Sequence, residues 1–425
     1  MKPDLAPISF EQTRRRMERQ ITELARFNST PGEGVTRLVY TAEDKQAKDY
    51  VKGVMKEIGL EVTEDAVGNI FGKLKGQNPD LPPVWSGSHL DAPLNSGMFD
   101  GIVGVMGAVE ALRLIKESGM PIQRDLVAVI FASEEPTRFG VGCLGSRALT
   151  GKLTAAELHQ LRDDQGMTLY EAMKEGGYEP DQLQEALMDK GKIGGFVELH
   201  IEQGAVLESM QKEIGVVHVI AAPTEVQLTL RGEQRHAGST PMSLRKDAMC
   251  CAAEIILSLE AWAKSSPSSH TVATVGRLEA VPGASNVIPE RVNLTIDSRE
   301  VDPALKMKFL ETLDELVSSI CEKRGISFEL NVKAHDLPVQ ASPFLVDTLS
   351  GICTALKLDY HVMASGAYHD SMLMANIAPY SMIFVPSRDG ISHDRREWTD
   401  YEQIVKGVQV LTHGLYQLGN EEEII

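Results

Sequence analysis

The segment DLVAVIFASEEPTRFG, residues 125–140, constrains the fold more than any other stretch of the chain. Its first half is an almost unbroken apolar run of strand length. A strand with no polar face has to be covered on both sides, as in a parallel sheet flanked by helices. The run then ends in two adjacent carboxylates, Glu134 and Glu135. Like charges so close are tolerated only in open solvent or beside a cation, so this strand end is either a surface loop or a binding site.

The neighbouring segments supply the rest of a layered domain. PPVWSGSHLD reads as a second buried strand running into a polar loop. GIVGVMGAVEALRLIKESG carries Ile102, Met106, Val109, Leu112 and Ile115 at helical spacing. Strand, helix, strand in this order predicts an α/β sandwich. Upstream, Ser9 with Gln12 and Thr41 with Asp44 predict helix starts and Gly59 a helix end, with short strands at about 61–65 and 69–74. In FVELHIEQG, Val197, Leu199 and Ile201 share one face of a strand, while Glu198, His200 and Glu202 share the other. Residues 150–193 are polar with a helical tendency and carry no further signal.

From about Val219 the pattern changes. VIAAPTEVQLTLRG, TVATVGRLEA, RVNLTIDSRE and ISFELNV read as strands. One helix is expected from Pro241 to Lys264 and another from Asp302-Pro303 to Gly325. The resulting β-α-β-β-α-β order predicts a ferredoxin-like sandwich. After about 334 the α/β pattern resumes, with Ser342-Pro343 opening a helix, SMIFV as a strand, and Thr399 to Glu402 capping the last helix. The expected architecture is a mixed-sheet α/β/α domain built from residues 1–217 and 334–425, with a ferredoxin-like α+β domain, 218–333, inserted between them.

The 425 residues suffice for both domains. A formal charge of −18 argues against binding the phosphate backbone of nucleic acid. No apolar run reaches membrane-spanning length, and MKPDLAPISFEQTRRRMERQ lacks the apolar centre of a signal peptide. The cysteines, Cys143, Cys250, Cys251, Cys321 and Cys353, form no C-x-x-C pair and fit reduced thiols. These features predict a cytoplasmic protein with no nucleic-acid or membrane partner.

His89, Asp91, Asp100, Glu134, Glu135, His200 and His393 all fall at or just beyond predicted strand ends, where open α/β sheets bind ligands. Imidazole and carboxylate suit divalent metals, and two metals can share one carboxylate and leave another free as a base. Strand-end acids and scattered histidines also occur with no such role. Ligands this far apart form no compact motif, so spacing alone leaves both readings open. FGVGCLG matches G-x-G-x-x-G, but Ser133 to Phe139 separate it from the strand end, which a dinucleotide site does not allow. No G-x-S-x-G elbow of a serine hydrolase occurs. Cys250-Cys251 reads as helix core, and His159, His270 and His413 as surface or packing residues. In the inserted domain, His236 (RHAGSTP), Asn286 (VPGASNVIP) and Arg299 (DSRE, with Asp297 on the same face) offer two hydrogen-bond donors and a carboxylate-sized fork. Singly they are a turn histidine, a turn asparagine and a surface ion pair.

Taken in order, GSHLDAPLNSGMFDG, FASEEPTRFG, ELHIEQGAVLE, HAGSTPMSLRKDA, VPGASNVIP, DSRE and GISHDRREWT resemble the M20-type metal-dependent amidohydrolases. The branch resembled holds the N-carbamoyl-L-amino-acid hydrolases, allantoate amidohydrolases and β-ureidopropionases. The resemblance implies a site for two divalent ions, zinc or manganese with cobalt or nickel as alternatives. His89 and His200 would lie on opposite sides, each on one metal, with Asp100 bridging and Glu135 and His393 completing the set. It makes Glu134 the general base and has Asp91 hold the ring of His89. Gln203, His236, Asn286 and Arg299 would contact a small carboxylate substrate, His236 and Asn286 from the other subunit of a homodimer formed by the inserted domains. The implied reaction is hydrolysis of a linear ureido or amide C–N bond, with removal of an N-carbamoyl group foremost. The alternatives are an aminoacylase or peptidase on the same scaffold, and a non-catalytic carboxylate-binding protein. Tyr368 in SGAYHDS stands where relatives usually have glycine, DAPLNSG is an unusual loop, and His369 receives no role.

Overall fold

Four strands, Tyr380–Val385, Gly195–Ile201, Val84–His89 and Leu126–Phe131, lie side by side in that order and run parallel in the computed structural model, which describes residues 9–424. Every residue of all four is buried, as the unbroken apolar run of the last one requires. Antiparallel strands extend the sheet on both sides. Ile70–Leu74 pairs with Leu126–Phe131 and carries Glu61–Glu64 outside it, and Ile214–Ile220 pairs with Tyr380–Val385. The sheet is therefore mixed.

Helices Ile102–Ser118 and Tyr401–Leu418 pack on each other and on the parallel strands, and Phe10–Leu24 packs on both. Leu199 joins Ile102, Val105 and Val408 in the core on that side. Its neighbour Glu198 points to the opposite face, where the short helix Asp370–Met374 covers it. FVELHIEQG thus alternates as read, but its polar face is interior. Ser88 Oγ donates to Glu198 at 2.7 Å and Ser371 Oγ at 2.6 Å, so the buried carboxylate is satisfied.

The expected helix ends at Ser9, Thr41, Gly59, Asp302, Gly325 and Ser342 are those observed. Two others differ. The last helix starts at Tyr401 with Asp400 at its N-cap. Thr399 does not cap it, and the Asp400 carboxylate instead accepts from Arg388 and from the Trp398 indole, each at 2.8 Å. The helix expected from Pro241 begins at Ala248, because Asp247 accepts from the Met249 and Cys250 amides and sets the N-terminus there. Residues 150–193 form short helices opened by capping boxes, Thr154 with Glu157 and Thr168 with Glu171. Leu153, Leu158, Leu169, Met173 and Leu183 bury themselves in a small satellite core.

The chain divides into two compact units. One runs through His218 and resumes with Ala341–Met363 and from His369, and the other is Val219–Gln340 with Ala364–Tyr368. In the second unit the strands are ordered Val272–Val281, Arg291–Glu300, Ala222–Arg231 and Ser327–His335, all antiparallel. Helices Ala248–Lys264 and Pro303–Arg324 bury one face, in a core of Val226, Leu228, Ile255, Leu294 and Phe309 among others. This is the ferredoxin-like order. Among the described residues no helix is long and apolar enough to cross a membrane.

Candidate active site

The parallel strands all deliver their C-terminal ends to one edge of the sheet, and the candidate residues follow from that geometry. His89 ends its strand level with Phe131, and His200 lies level with Phe384. Glu134 and Glu135 stand in the turn after Phe131, and His393 in the loop after Val385. Asp100 sits just ahead of helix Ile102–Ser118. Gly101 has φ +69°, and a Cβ there would come within 2.5 Å of the His89 ring, so the close approach of this loop to His89 requires glycine.

Both buried histidines are anchored through Nδ1. His89 Nδ1 is 3.0 Å from the Asp91 carbonyl oxygen, and His200 Nδ1 is 2.9 Å from the Ile201 carbonyl. A carbonyl only accepts, so Nδ1 carries a proton in each ring, and Nε2 is the atom turned to the site, available as a ligand whenever the ring is neutral. The Gly101 N–H also lies 3.2 Å from His200 Nε2. The two Nε2 atoms lie 3.6 and 3.3 Å from the same oxygen, Asp100 Oδ1. The other oxygen, Oδ2, is 3.3 Å from His393 Nε2, which in turn is 3.1 Å from Glu135 Oε1. Of three groups of donors close enough to hold an ion among the described residues, two share Asp100: His89, Asp100 and His200, and Asp100, Glu135 and His393. The third, Glu198, His200 and His369, does not include it, and its Glu198 already accepts from Ser88 and Ser371. This corrects the expectation that His89 and His200 lie on opposite sides. Their strands are neighbours in matching register, so both rings reach one Asp100 oxygen.

Asp91 does more than approach the His89 ring, from which its carboxylate lies 3.4 Å. Its oxygens accept the backbone N–H of Glu134, the backbone N–H of Glu135 and the Ser133 hydroxyl, each at 3.0 Å. One carboxylate thus fixes the turn that carries both glutamates. Glu134 belongs to neither donor group. Its Oε2 is 4.0 Å from His89 Nε2, and the Cys143 thiol donates to its Oε1 at 3.7 Å. Burial, and then the charge on Glu135, push its carboxyl well above the ordinary range.

Asp91, Asp100, Glu134, Glu135, Glu198, Asp370 and Glu397 are all buried. Among the described residues no lysine or arginine pairs with Asp100, Glu134 or Glu135. Imidazoles supply the countercharge. Although burial opposes it, hydrogen bonds to Asp100 and Asp91 hold His89 well above its usual value, and a bond to Asp100 raises His200. Hydrogen bonds to Asp100 and Glu135 raise His393 to about 11. Against the cost of burial, the three imidazoles keep Asp100 well below the carboxylate range. An anionic cluster of imidazole and carboxylate donors that draws protons onto its histidines fits divalent metal ions, which would bring the missing positive charge.

Several residues of this site carry no signal in the sequence. Gln203 does, as an expected substrate contact. Here it donates to Asp100 Oδ2 at 2.7 Å, and its Oε1 is buried without a partner. Glu397, inside the GISHDRREWT stretch, is buried beneath the Asp100 loop, and burial and then the Asp100 charge push it up to about 7. Ser146 donates to Asp370 at 2.5 Å, and the His369 ring packs edge-on against His200 with centroids 4.6 Å apart. Serines and a thiol have no distinctive spacing, so only the folded sheet edge brings these out.

In the second unit His236 and Asn286 are adjacent. The strand ending in His236 pairs with Val287–Ile288, which Asn286 directly precedes, and the Ala237 amide donates to the Asn286 carbonyl at 2.9 Å. His236 is exposed, and its Nδ1 accepts from the Gly238 and Ser239 amides at 3.0 and 3.2 Å. The neutral ring must then carry its proton on Nε2, as an outward-facing donor. Arg299 pairs with Asp297 at 3.1 Å and donates to the Gly366 carbonyl at 2.8 Å.

Residues 91–417 match the profile of peptidase family M20/M25/M40. The chain is 42% identical to a ureidoglycolate hydrolase of Arabidopsis thaliana, over 95% of this chain and 86% of that one. It is 40% identical to an N-carbamoyl-L-amino acid amidohydrolase of Geobacillus stearothermophilus, over 96% and 99%. The crystal structure of an amidase of the hydantoinase/carbamoylase family from Burkholderia multivorans superposes with a TM-score of 0.89 at 33% identity, covering 96% of this chain and 98% of that one.

Proposed function

The chain belongs to peptidase family M20/M25/M40, and we propose that within it this enzyme hydrolyses the ureido C–N bond of α-ureido acids. The relatives' names share that chemistry. An N-carbamoyl amino acid and ureidoglycolate both carry a ureido group on the carbon that bears a carboxylate. Water cleaves this group to the free amine and carbamate, which decays to carbon dioxide and ammonia. The observation that carries the reading is the arrangement around Asp100: one oxygen for each of two donor groups, with Glu134 beside them and committed to neither.

His89, Asp100 and His200 would hold one divalent ion and Asp100, Glu135 and His393 a second, with zinc, manganese, cobalt or nickel as candidates. When bound, such ions polarise the scissile carbonyl and make a water molecule acidic. Glu134 takes that water's proton and returns it to the leaving nitrogen, a task suited to a buried carboxyl with a raised pKa. Asp91 keeps Glu134 aimed through the backbone of the turn. The unpartnered Oε1 of Gln203 accepts a ureido N–H. Arg299 pairs with the substrate carboxylate through its planar fork. In this proposal the chain is a homodimer through the inserted unit, and the partner subunit's His236 and Asn286 donate to the developing oxyanion.

The test is turnover by the metal-reconstituted protein, read as ammonia released from N-carbamoyl-L-amino acids, ureidoglycolate and allantoate, and as free α-amino groups released from N-acetyl amino acids and dipeptides. Turnover of α-ureido acids at rates well above the N-acyl compounds is expected. The reverse preference would make the protein an aminoacylase or peptidase. No turnover of any compound by protein carrying its metals would point to a binding protein.

A further inference from the structure

We propose that Glu397 is a positioning residue that ties the two donor groups into one site. The inference rests on the reading of those groups as metal sites. Glu397 is 3% exposed and makes no ion pair among the described residues. Its Oε1 accepts the backbone N–H groups of Phe99 and Asp100 at 3.0 and 3.2 Å. Its Oε2 is 2.9 Å from the Ser392 hydroxyl, and that hydroxyl is 2.8 Å from Asp100 Oδ2. Asp100 is therefore held by this carboxyl at its backbone, while the Ser392 hydroxyl, whose single proton serves one carboxylate at a time, bridges Glu397 to the side-chain oxygen that faces the second group.

The loop geometry is built around this contact. A Cβ on Gly97 would come within 2.3 Å of Glu397 Oε1, so the turn before Asp100 is wrapped directly over the carboxyl. Trp398 packs edge-on against Phe99 with centroids 5.2 Å apart and closes the other side. Ser392 precedes His393, the most exposed member of the donor set at 50%, whose backbone has a left-handed φ of 55°. His393 stands outside every helix and strand, so its place relative to Asp100 depends on such loop contacts. An apolar side chain at 397 would leave two buried amides without acceptors and free both loops. Glutamine keeps a carbonyl for the amides and offers an N–H to Ser392, so it should replace the glutamate well.

The consequence is an unequal loss. In Glu397→Ala the group of Asp100, Glu135 and His393 weakens, while His89 and His200, set by adjacent strands, keep the first group. Metal equivalents are measured by competition with a chromophoric chelator, using zinc alone. The wild type should hold two ions and Glu397→Gln should stay close to it. Glu397→Ala should keep one and bind the other about 10- to 100-fold more weakly, and Ser392→Ala should weaken the same one less. Circular dichroism of each metal-free variant reports folding separately. Two ions at wild-type affinity in folded Glu397→Ala would overturn the proposal, as would a Gln variant as impaired as the Ala variant. If Glu397→Ala does not fold, unchanged affinity in Ser392→Ala overturns it and a selective loss supports it. A wild type that binds a single ion removes the two-group reading and the inference with it. None of these outcomes depends on substrate, so a failure of the proposed reaction is seen separately.

Discussion

Glu134 and Glu135 differ by one backbone step, yet only Glu135 reaches a donor group, which is why the pair can be adjacent. Glu134→Gln should therefore retain the metal content of the wild type while kcat falls by about 10²- to 10⁴-fold, since an amide cannot take the water proton. Metal analysis and kinetics on that variant decide it, and near-normal turnover would remove Glu134 as base. The histidines carry a second prediction. In the metal-free fold His393 is raised from 6.5 to about 11, so its charged form contributes stability that is full below about pH 6.5 and is lost as pH rises through 11. Ligation needs the neutral ring, so metal uptake at pH 7 should release protons and apparent affinity should rise with pH. Zinc titrations by calorimetry in two buffers of different ionisation enthalpy check this, and identical heats would refute it. At this scale His, Asp and Glu at strand ends stand out as candidates in the sequence, but their spacing alone leaves the metal reading open, and the proposed ligand set follows from the resemblance. Glu397 does not stand out, because an acid followed by Trp398 in a polar loop looks like any surface residue until the Asp100 loop is folded over it.

Elements were most legible where a single force decided them. The run ending at Phe131 could only be a doubly covered strand, and the caps at Thr41 and Asp302 lie where the side chains bind the orphan amides. The last helix was misplaced by one residue because Thr399 looked the better cap, while a tertiary contact with Arg388 fixed the role of Asp400. In 150–193 the helices are only six to eight residues long, so their one local mark is T-x-x-E at Thr154-Glu157 and Thr168-Glu171, with no long apolar period to support it. The strand Val272–Val281 raises a different question. It is an edge strand of ten residues, with Val272 50% and Leu278 43% exposed, and such an edge invites pairing with another chain. If the proposed homodimer uses this edge, Val272→Lys with Leu278→Lys should shift the protein to monomers in light scattering without loss of fold. A dimer of unchanged stability would put the interface elsewhere.

At the scale of the whole molecule, the two units divide the chemistry. The sheet unit holds the candidate metal donors and Glu134, the proposed base. The ferredoxin-like unit holds His236, Asn286 and Arg299, with the His236 donor facing solvent. The order of the elements made this division readable from the sequence, but nothing in a single chain says which copy a solvent-facing donor serves. If the partner's lid completes each site, a Glu134→Gln chain still supplies a working His236, and a His236→Ala chain still supplies a working base and donor set. Each variant alone should be impaired. In a mixed dimer one of the two sites combines both good halves, while the other combines both defects. With free exchange half the dimers are mixed, so activity should return to roughly a quarter of the wild-type sites. Co-expression with two different tags isolates the mixed species for assay and confirms its composition. A verified heterodimer no more active than its parents would mean that each chain closes over its own donors, and the assignment of His236 to the partner's site would fall.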